Sequence, residues 1–437
     1  MPHQTADAVV IGAGVIGCSV ARSLAAGGRD VLVVDKLSGP GQGSTSSSSA
    51  IIRFNYSTLA GVATAWESHY AWLDWQNFLG GPDQDGGVAR FIRTGALSLD
   101  APVHDPGKVL RLFDQVGVPY EVWTAEQVRE HFAWLDPARH YPPKALSDEA
   151  FWDEPDGEVG GYHCPDAGFV DDPGYAAHNL ATSAQRLGVR FSMRTEVSGV
   201  DTSSGRVTGV MLADGTRIDT PVVVNVGGPA SPKINSMAGV GDDFGIGNRP
   251  VRVEVNTVPV PAGFDPPDRP GPIVSDMDLG TYLRGTPSGD LIVGGAEPEC
   301  DPVHYVEDGE DFDRHVTAAI SEAQLLRAAR RVPALQVPNT PKGIAACYDV
   351  ADDWIPIYDK TAVPGFYVAI GTSGNQFKNA PVVGDYLRAI IDACESGHDH
   401  DTDPVRHTLP RTGLQIDLSA YSRLRQPDPN SSNTVMG

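Results

Sequence analysis

Positive charge is scarce in this chain of 437 residues, which has 33 lysine and arginine residues against 56 aspartate and glutamate residues. The formal net charge of −23 argues against nucleic acids and anionic membranes as partners, because both are polyanions. An anionic substrate would therefore need local positive groups that overcome the field of the whole protein.

Cysteine and long apolar runs are also in short supply. The five cysteines are scattered, odd in number and without a CxxC pair, which is typical of reduced thiols in a cytoplasmic protein that has no zinc site. Glycines and Arg22 interrupt the longest apolar stretch, residues 8–28, so it does not resemble a membrane span. No basic leader precedes it. Metalloprotease, zinc-deaminase, P-loop and serine-hydrolase signatures are missing too, so we expect no metal ion.

Glycine, by contrast, is concentrated at the start of the chain. Residues 8–11 (AVVI) predict a strand, residues 12–17 (GAGVIG) a turn, and the following residues a helix. A second apolar run ends at Asp35. In this order the three glycines suit a tight turn, close approach of the backbone to a pyrophosphate, and close packing of helix on strand. Asp35 can bind ribose hydroxyls, which favours NAD or FAD over NADP, and a βαβ unit without nucleotide is the alternative.

Small hydroxyl residues dominate the segment after this unit. Residues 39–50 are rich in glycine and serine, and Ile51, Ile52 and Arg53 follow at once. A serine run commonly forms a flexible linker, but the apolar pair and the helical pattern of residues 60–79 favour a segment that lines a cofactor. A surface loop is the alternative.

Two later apolar strands also end in glycine turns. Residues 222–226 lead into Gly227 and Gly228, and residues 366–370 lead into a turn that contains Lys378. Each turn permits another close approach of the backbone to a dinucleotide. The chain has only seven lysines, so a lysine between a glycine turn and a helix start suggests a function, with a solvated cap contact as the alternative.

The middle of the chain predicts antiparallel strands. Tyr282 and Arg284 would project from one face of a strand and suit a carboxylate ligand, although an ordinary exposed strand face fits the pattern equally well. Residues 137–165 predict a crossing loop, residues 308–332 a charged helix, and the polar residues 426–437 a disordered tail.

Together these segments resemble the D-amino-acid-oxidase-like superfamily of FAD-dependent oxidoreductases, in particular the branch of sarcosine oxidase, glycine oxidase and dimethylglycine dehydrogenase. The first glycine turn with Asp35, the serine-rich segment with Arg53 and the turn at Gly227 carry the resemblance. Residues 371–378 (GTSGNQFK) are similar to the family's G-x-S-G-x-G-F-K signature, and residues 417–425 resemble its closing motif.

The resemblance implies a fold of the α/β class, with a Rossmann-like FAD-binding domain and an α+β substrate domain built on an antiparallel sheet. The chain would pass between the two domains more than once. Residues 1–88, 155–245 and 340–425 would form the FAD-binding domain, and residues 89–154 and 246–339 would form the substrate-binding domain.

The resemblance also implies noncovalent FAD, bound in an extended conformation. The first turn and Asp35 would hold the pyrophosphate and the adenosine ribose, and residues 374–378 would reach the pyrimidine edge of the flavin. The implied cofactor-binding residues are Gly12, Gly14, Val15, Ile16, Gly17, Asp35, Lys36, Gly43, Ser44, Thr45, Ser46, Ile51, Val197, Asn225, Gly227, Tyr348, Gly374, Asn375, Gln376, Phe377 and Lys378.

Four residues are implied at the substrate. Arg53 and Lys378 match positions that bind the substrate carboxylate in sarcosine-oxidase-like enzymes. Tyr282 matches an active-site tyrosine, and Arg284 is placed like the carboxylate-binding arginine of D-amino-acid oxidases.

The sequence departs from the family pattern at several positions. The serine-rich segment has no histidine for covalent attachment of the flavin, and Ala346 stands where some relatives have the linking cysteine, with Cys347 one residue away. Ile292 stands where sarcosine oxidase has an oxygen-activating lysine, and Ala296 where it has a histidine near the substrate. These departures favour noncovalent FAD, weaken the case for fast reaction with O2, and argue against a copied sarcosine pocket.

The implied reaction is oxidation of the C–N bond of a small secondary or tertiary amine or an N-methyl amino acid, by hydride transfer to flavin N5. Either O2 or an electron carrier would be the acceptor. Two alternatives stay open. One is an FAD-dependent dehydrogenase of 2-hydroxy acids or amines that uses an acceptor other than O2, and the other is a non-catalytic flavin-binding scaffold.

Overall fold

Two large β-sheets organise the chain. The computed structural model describes residues 4–83, 87–103, 105–266 and 269–436. Within these ranges no helix is both long and apolar enough to cross a membrane.

The α-helices of the described residues follow in chain order. They are α1 (Val15–Ala26), α2 (Leu59–Leu73), α3 (Trp75–Phe78), α4 (Pro106–Val116), α5 (Ala125–His131), α6 (Pro173–Arg186), α7 (Ser231–Met237), α8 (Ala318–Arg331) and α9 (Ala380–Glu395).

The β-strands of the same ranges are mostly short. They are β1 (Gln4–Thr5), β2 (Ala8–Ile11), β3 (Val31–Asp35), β4 (Ile51–Ile52), β5 (Phe91–Arg93), β6 (Ala96–Leu99), β7 (Glu121–Trp123), β8 (Gly161–Cys164), β9 (Gly168–Val170), β10 (Arg190–Met193), β11 (Val197–Ser203), β12 (Arg206–Leu212), β13 (Arg217–Asp219), β14 (Val223–Asn225), β15 (Asn248–Pro259), β16 (Ile273–Asp276), β17 (Thr281–Gly285), β18 (Asp290–Gly295), β19 (His304–Tyr305), β20 (Gly343–Ala351), β21 (Ile357–Lys360), β22 (Phe366–Ile370), β23 (Arg406–Thr408) and β24 (Gln415–Asp417).

The first large sheet has the order β10-β3-β2-β14-β22-β21 and is parallel except at β21. Its central strands β2, β14 and β22 are buried along their whole length, as expected for apolar strands covered on both faces. Because these three strands are parallel, their carboxyl ends lie at one edge of the sheet, and the three glycine turns of the sequence meet there. Helices α1 and α9 pack closely, because Gly384 lies against the backbone of Ser19.

The second large sheet has the order β19-β15-β18-β17-β16-β6-β8-β7, and β20 also pairs with β15. All of its pairs are antiparallel except β6 with β16. The expected α/β class, a parallel nucleotide-type sheet joined to a largely antiparallel sheet, is therefore confirmed. Strands β8 and β20 both belong to the second sheet, where β8 pairs with β6 and β7, and β20 pairs with β15. Their residues, 161–164 and 343–351, fall within the segments that the resemblance assigns to the FAD-binding domain. The domain bounds stay a prediction.

Three local expectations differ from the structure. Residues 308–317 precede α8 rather than extend it, because Thr317 caps the helix and accepts a hydrogen bond from Ile320 N. The predicted crossing loop contains β8, which pairs with β6 in the second sheet. Residues 428–436, within the predicted disordered tail, pack against the protein, and Ser431 Oγ donates a 2.5 Å hydrogen bond to the carbonyl oxygen of Asp353.

A buried ion cluster fixes α8 to the second sheet. Arg331 is fully buried, and its guanidinium donates to Asp276 at 2.7 Å and to Asp278 at 2.8 Å. It also donates to the carbonyl oxygens of Asp136 and Ala138. Burial raises the pKa of Asp278, as does the charge of Asp276, and Arg331 opposes that shift. The arginine is therefore needed to keep two acidic groups in the interior.

We expect Arg331→Met to lower the free energy of unfolding by about 3–5 kcal/mol, because it leaves two buried carboxyl groups without their cation. Thermal and denaturant unfolding of the purified protein would measure this loss. Arg111→Met is the matched control, since Arg111 is 67% exposed and pairs with Asp105 at 3.6 Å, and it should change stability by about 0.5 kcal/mol or less. Equal stability of the two variants would contradict the structural role of Arg331.

Candidate active site

A cavity of about 510 Å³ runs along the edge where the three glycine turns meet. It extends from the end of β2, past the serine-rich segment and Val197, to the turn after β22. The implied cofactor-binding residues that line it are Gly12, Gly14, Val15, Ile16, Gly17, Asp35, Lys36, Gly43, Ser44, Thr45, Val197, Gly227, Tyr348, Gly374, Gln376 and Phe377. Ser46, Ile51, Asn225, Asn375 and Lys378 lie outside its lining.

The first turn leaves no room for side chains at two of its glycines. Gly12 has a φ of +113°, and a Cβ on it would overlap the carbonyl group of Val226. A Cβ on Gly17 would overlap the carbonyl oxygen of Gly12. Gly14 precedes α1 without a side-chain cap of its own, so the helix N-terminus faces the cavity. Such an N-terminus is suited to a phosphate group.

Asp35 ties the end of β3 to this turn. Its Oδ2 accepts a 2.7 Å hydrogen bond from Ala13 N, and its Oδ1 accepts a 2.8 Å hydrogen bond from Leu37 N. Each carboxylate oxygen can accept a further bond, so both ribose hydroxyls could be bound from here. The neighbouring Lys36 forms an ion pair with Glu310, which also lines the cavity.

The serine-rich segment is bonded to the start of α1 and to the second sheet. Thr45 Oγ1 accepts from Val15 N at 3.1 Å, and Ser44 Oγ donates to the carbonyl oxygen of Cys347 at 2.8 Å. Further along, Ser49 Oγ lies 2.7 Å from the hydroxyl of Tyr282. These contacts hold the segment against the cavity, as the lining interpretation requires, whereas a free linker would make none of them.

The other two turns are held by buried polar side chains. Asn225 Oδ1 accepts from Gly227 N at 3.0 Å, so this asparagine supports the turn from below the cavity. Asp349, on β20, accepts a 2.6 Å hydrogen bond from Gly371 N and another from Asn248. Burial raises the pKa of Asp349 to about 7. Gly374 has a φ of +66° and lies against the ring of Tyr348, where a Cβ would collide.

Arg53 and Lys378 both lie close to the ring of Tyr56. The distance from the Tyr56 ring centroid is 5.5 Å to Arg53 Cζ and 5.1 Å to Lys378 Nζ. Lys378 Nζ also donates to the hydroxyl of Tyr56 at 3.1 Å and to the carbonyl oxygen of Asn375 at 2.6 Å. Burial lowers the pKa of Lys378 well below its usual value, and the charge of Arg53 lowers it further. Burial also lowers the pKa of Arg53.

Both cations are buried, and neither is hydrogen-bonded or ion-paired to an acidic side chain of the described residues. Arg53 is 7% and Lys378 3% exposed, and every hydrogen bond that the described residues give them goes to a carbonyl, amide or phenol oxygen. Three other buried arginines differ, because Arg327, Arg331 and Arg423 each form ion pairs with aspartates. Buried charges are normally paired. An anion is therefore the ligand that this cluster suits best.

Tyr282 and Arg284 are both buried on β17 rather than on an exposed strand face. Arg284 Cζ lies 4.2 Å from the ring centroid of Phe169, and its Nε has no hydrogen-bond partner among the described residues. Burial lowers the pKa of Arg284 to about 10 and raises the pKa of Tyr282. This arginine therefore has unused hydrogen-bonding capacity inside the protein.

The sequence interpretation missed several polar residues around these cations. Tyr56, Asn379 and Tyr358 form a buried network with Gln376, in which Asn379 Nδ2 donates to the hydroxyl of Tyr56 at 3.2 Å. Glu297 was also missed, and it lies in the electrostatic surroundings of Arg53, Tyr282 and Tyr348. The one indication of Glu297 in the sequence is that it directly follows Ala296, which stands where sarcosine oxidase has a histidine near the substrate.

Comparisons with known proteins agree with this geometry. Residues 7–390 match the family described as "DAO: FAD dependent oxidoreductase". FAD-dependent oxidoreductase domain-containing protein 1 from Bos taurus is 25% identical over 445 residues, covering 91% of this chain and 83% of that protein.

Solved structures share the fold. L-proline dehydrogenase from P. horikoshii has a TM-score of 0.74 at 23% identity, with 97% of this chain and 98% of that chain covered. Glycine oxidase from Bacillus cereus has a TM-score of 0.68 at 21% identity, with 92% and 98% covered.

The cavity offers what FAD requires: a glycine turn free of side chains, a helix N-terminus for the pyrophosphate, and a carboxylate at the ribose position. The family match spans the segments that build all three. This chain therefore belongs to the DAO family of FAD-dependent oxidoreductases, which confirms the resemblance and the expected cofactor.

Proposed function

We propose that this enzyme oxidises the C–N bond of a small secondary or tertiary amine that carries a carboxylate, such as an N-methyl amino acid. The observation that carries this proposal is the burial of Arg53 and Lys378 with no acidic partner among the described residues. A substrate carboxylate would supply the missing negative charge, and arginine binds carboxylates in a bidentate geometry.

The cofactor would occupy the cavity between the two sheets. Gly12, Gly14 and Gly17 would admit the pyrophosphate, and Asp35 would bind the adenosine ribose. Backbone near Val197 would contact the adenine, and Gly374, Gln376 and Phe377 would lie at the flavin. When bound, FAD supplies the acceptor for the electrons that leave the substrate.

The residues of the chain would position the substrate and exclude water. Arg53 and Lys378 would bind the carboxylate, and its negative charge would favour the protonated form of Lys378, whose pKa burial lowers. Tyr282, held by Ser49, and Arg284 would form the opposite wall on β17. Fixing the carboxylate fixes the α-carbon, which is the atom that must be presented for oxidation.

We further propose that FAD is held without a covalent bond. Cys347 is 2% exposed, and burial raises the pKa of its thiol to about 12, which suppresses the nucleophilic thiolate. The serine-rich segment offers no histidine in place of it.

Acid precipitation of the yellow protein should release essentially all of its FAD into the supernatant, because no side chain is linked to the flavin. Absorbance of the supernatant and the mass of the denatured chain measure this. Cys347→Ser is the control, and it should give the same release. A flavin that stays on the pellet in the parent but not in Cys347→Ser would identify Cys347 as the attachment point.

An anaerobic panel of sarcosine, N,N-dimethylglycine, proline and lactate tests the substrate class through bleaching of the flavin. We expect an N-substituted amino acid to bleach it, and Arg53→Met to weaken binding of that compound about 10–150-fold, through loss of a charge-assisted pair. Arg90→Met is the control, since Arg90 is a surface residue paired with Asp171, and it should behave like the parent. Bleaching by lactate alone would favour a 2-hydroxy-acid dehydrogenase, and no bleaching at all would favour the scaffold interpretation.

Ile292 on β18 favours a second candidate, a dehydrogenase that passes electrons to an acceptor other than O2. The side chain lies opposite Arg284 in the register and supplies no positive charge at the position where sarcosine oxidase has its oxygen-activating lysine. We expect the reduced enzyme to react slowly with air and rapidly with an artificial electron acceptor in stopped-flow experiments. Ile292→Lys should accelerate reoxidation by air, and fast reaction of the parent with O2 would instead support an oxidase.

A further inference from the structure

A segment near the end of the chain contacts Arg53, which we propose binds the substrate carboxylate. Residues 428–436 are anchored at Asp353, which forms an ion pair with Arg425 and accepts from Ser431 through its carbonyl oxygen. Val435 packs in a cluster with Val251, Val350 and Trp354. Met436 packs with Ala101, Met277 and Ala296.

The backbone of this segment contacts two charged side chains at once. Arg53 Nη2 donates to the carbonyl oxygen of Val435 at 2.5 Å, and Arg53 Nη1 donates to that of Met436 at 2.9 Å. Glu297 Oε2 accepts a 2.9 Å hydrogen bond from Val435 N. Two oxygens thus lie on one guanidinium while an N–H group lies on a carboxylate. An amino acid in its zwitterionic form presents the same three groups, two oxygens and one N–H, with a negative charge on the oxygens and a positive charge on the nitrogen.

Glu297 has the properties of a functional rather than a structural acid. Its φ of +46° is unusual for a residue with a side chain, and such strain clusters at functional sites. Burial raises its pKa to about 7, the backbone N–H of Val435 and the charge of Arg53 oppose this rise, and Asp301 adds to it. Tyr282 and Tyr348 are the other titratable groups that sense its charge. Arg53 and Glu297 both bind the backbone of Val435 and Met436, but they do not form an ion pair with each other.

We propose that Glu297 binds the amino group of the substrate while Arg53 binds its carboxylate, so that the substrate class is a zwitterionic amino acid. This inference rests on the proposed function and adds the amine-binding group to it. Val435 and Met436 occupy both groups in this structure, and a bound substrate would replace their backbone contacts.

Glu297 would also prepare the amine for oxidation. An ammonium group has no lone pair, so the substrate nitrogen must lose a proton before its C–H bond can be oxidised. In this step the N–H bond of the ammonium breaks, its electron pair stays on nitrogen, and the proton forms an O–H bond on the Glu297 carboxylate. The products are a neutral amine and a neutral carboxylic acid, so charge and protons balance.

Ligand pairs that differ only in nitrogen test the binding role on the FAD-loaded enzyme. N,N-dimethylglycine is matched by 3-methylbutanoate, sarcosine by butanoate, and proline by cyclopentanecarboxylate. Equilibrium titrations followed by the flavin absorbance give Kd without turnover. We expect at least one amino acid to bind about tenfold more tightly than its carbon analogue, because a charge-assisted hydrogen bond is added.

Glu297→Gln should remove most of that preference while leaving binding of the carbon analogues unchanged. Glu297→Asp keeps the negative charge but shortens the side chain by one methylene group, so it should keep part of the preference. This second variant provides the test if Glu297→Gln fails to bind FAD. The matched control is Glu299→Gln, an exposed acid two residues away, which should keep the full preference.

The pH dependence of anaerobic flavin reduction tests proton transfer. Glu297 accepts a proton only when ionised, so the rate in the parent should rise with pH up to about 7 and then level off. In Glu297→Gln the rise should move to higher pH, towards the pKa of the substrate amine itself, because no carboxylate is left to accept the proton.

The outcomes separate this inference from the proposed function. If Glu297→Gln keeps both the binding preference and the pH profile, the inference is wrong, while reduction by amino acids would still support the proposed function. If the parent binds each carbon analogue as tightly as its amino acid, the inference is also wrong. If none of the six compounds perturbs the flavin, both the inference and the proposed function are overturned.

Discussion

The rest of the site depends on two buried cations, Arg53 and Lys378, that lie close to the ring of Tyr56. Neither cation forms an ion pair with a carboxylate of the described residues. Removing a cation from water is costly, and carbonyl dipoles compensate only part of that cost. The second sheet shows the usual solution, since Arg331 is paired there with two aspartates. Leaving Arg53 and Lys378 unpaired instead creates a local preference for an anion in a protein whose net charge is −23.

The nucleotide side of the molecule could be predicted because its geometry is local in sequence. The turn at residues 12–17 and the acid at the end of β3 follow each other along the chain. The spacing of the glycines alone indicates where a Cβ atom would overlap neighbouring backbone, as it would at Gly12 and Gly17. The strand ends at Asn225 and Ile370 were equally recognisable as apolar runs that stop at glycine. The role of Asn225 beneath its turn, rather than at the cavity, depends on hydrogen bonds that spacing does not encode.

The proposed substrate side could be predicted only in part, because it is assembled from residues far apart in the chain. Arg53 and Lys378 were identified through a resemblance, whereas their common neighbour Tyr56 was not. The sequence analysis predicted one charged helix over residues 308–332, yet Thr317 caps α8, so the helix begins only at Ala318. The polar composition of residues 426–437 predicted disorder, and it could not show that Val435 and Met436 find apolar partners on two different strands and loops.

Asp349 has a mechanical consequence for the whole enzyme. It belongs to β20 of the second sheet, yet its carboxyl group and its carbonyl oxygen bind Gly371 N and Ser373 N, in the turn that follows β22 of the first sheet. Swinging the sheets apart would strip a buried carboxyl group of these partners. A hinge between the sheets is therefore a poor route for substrate entry.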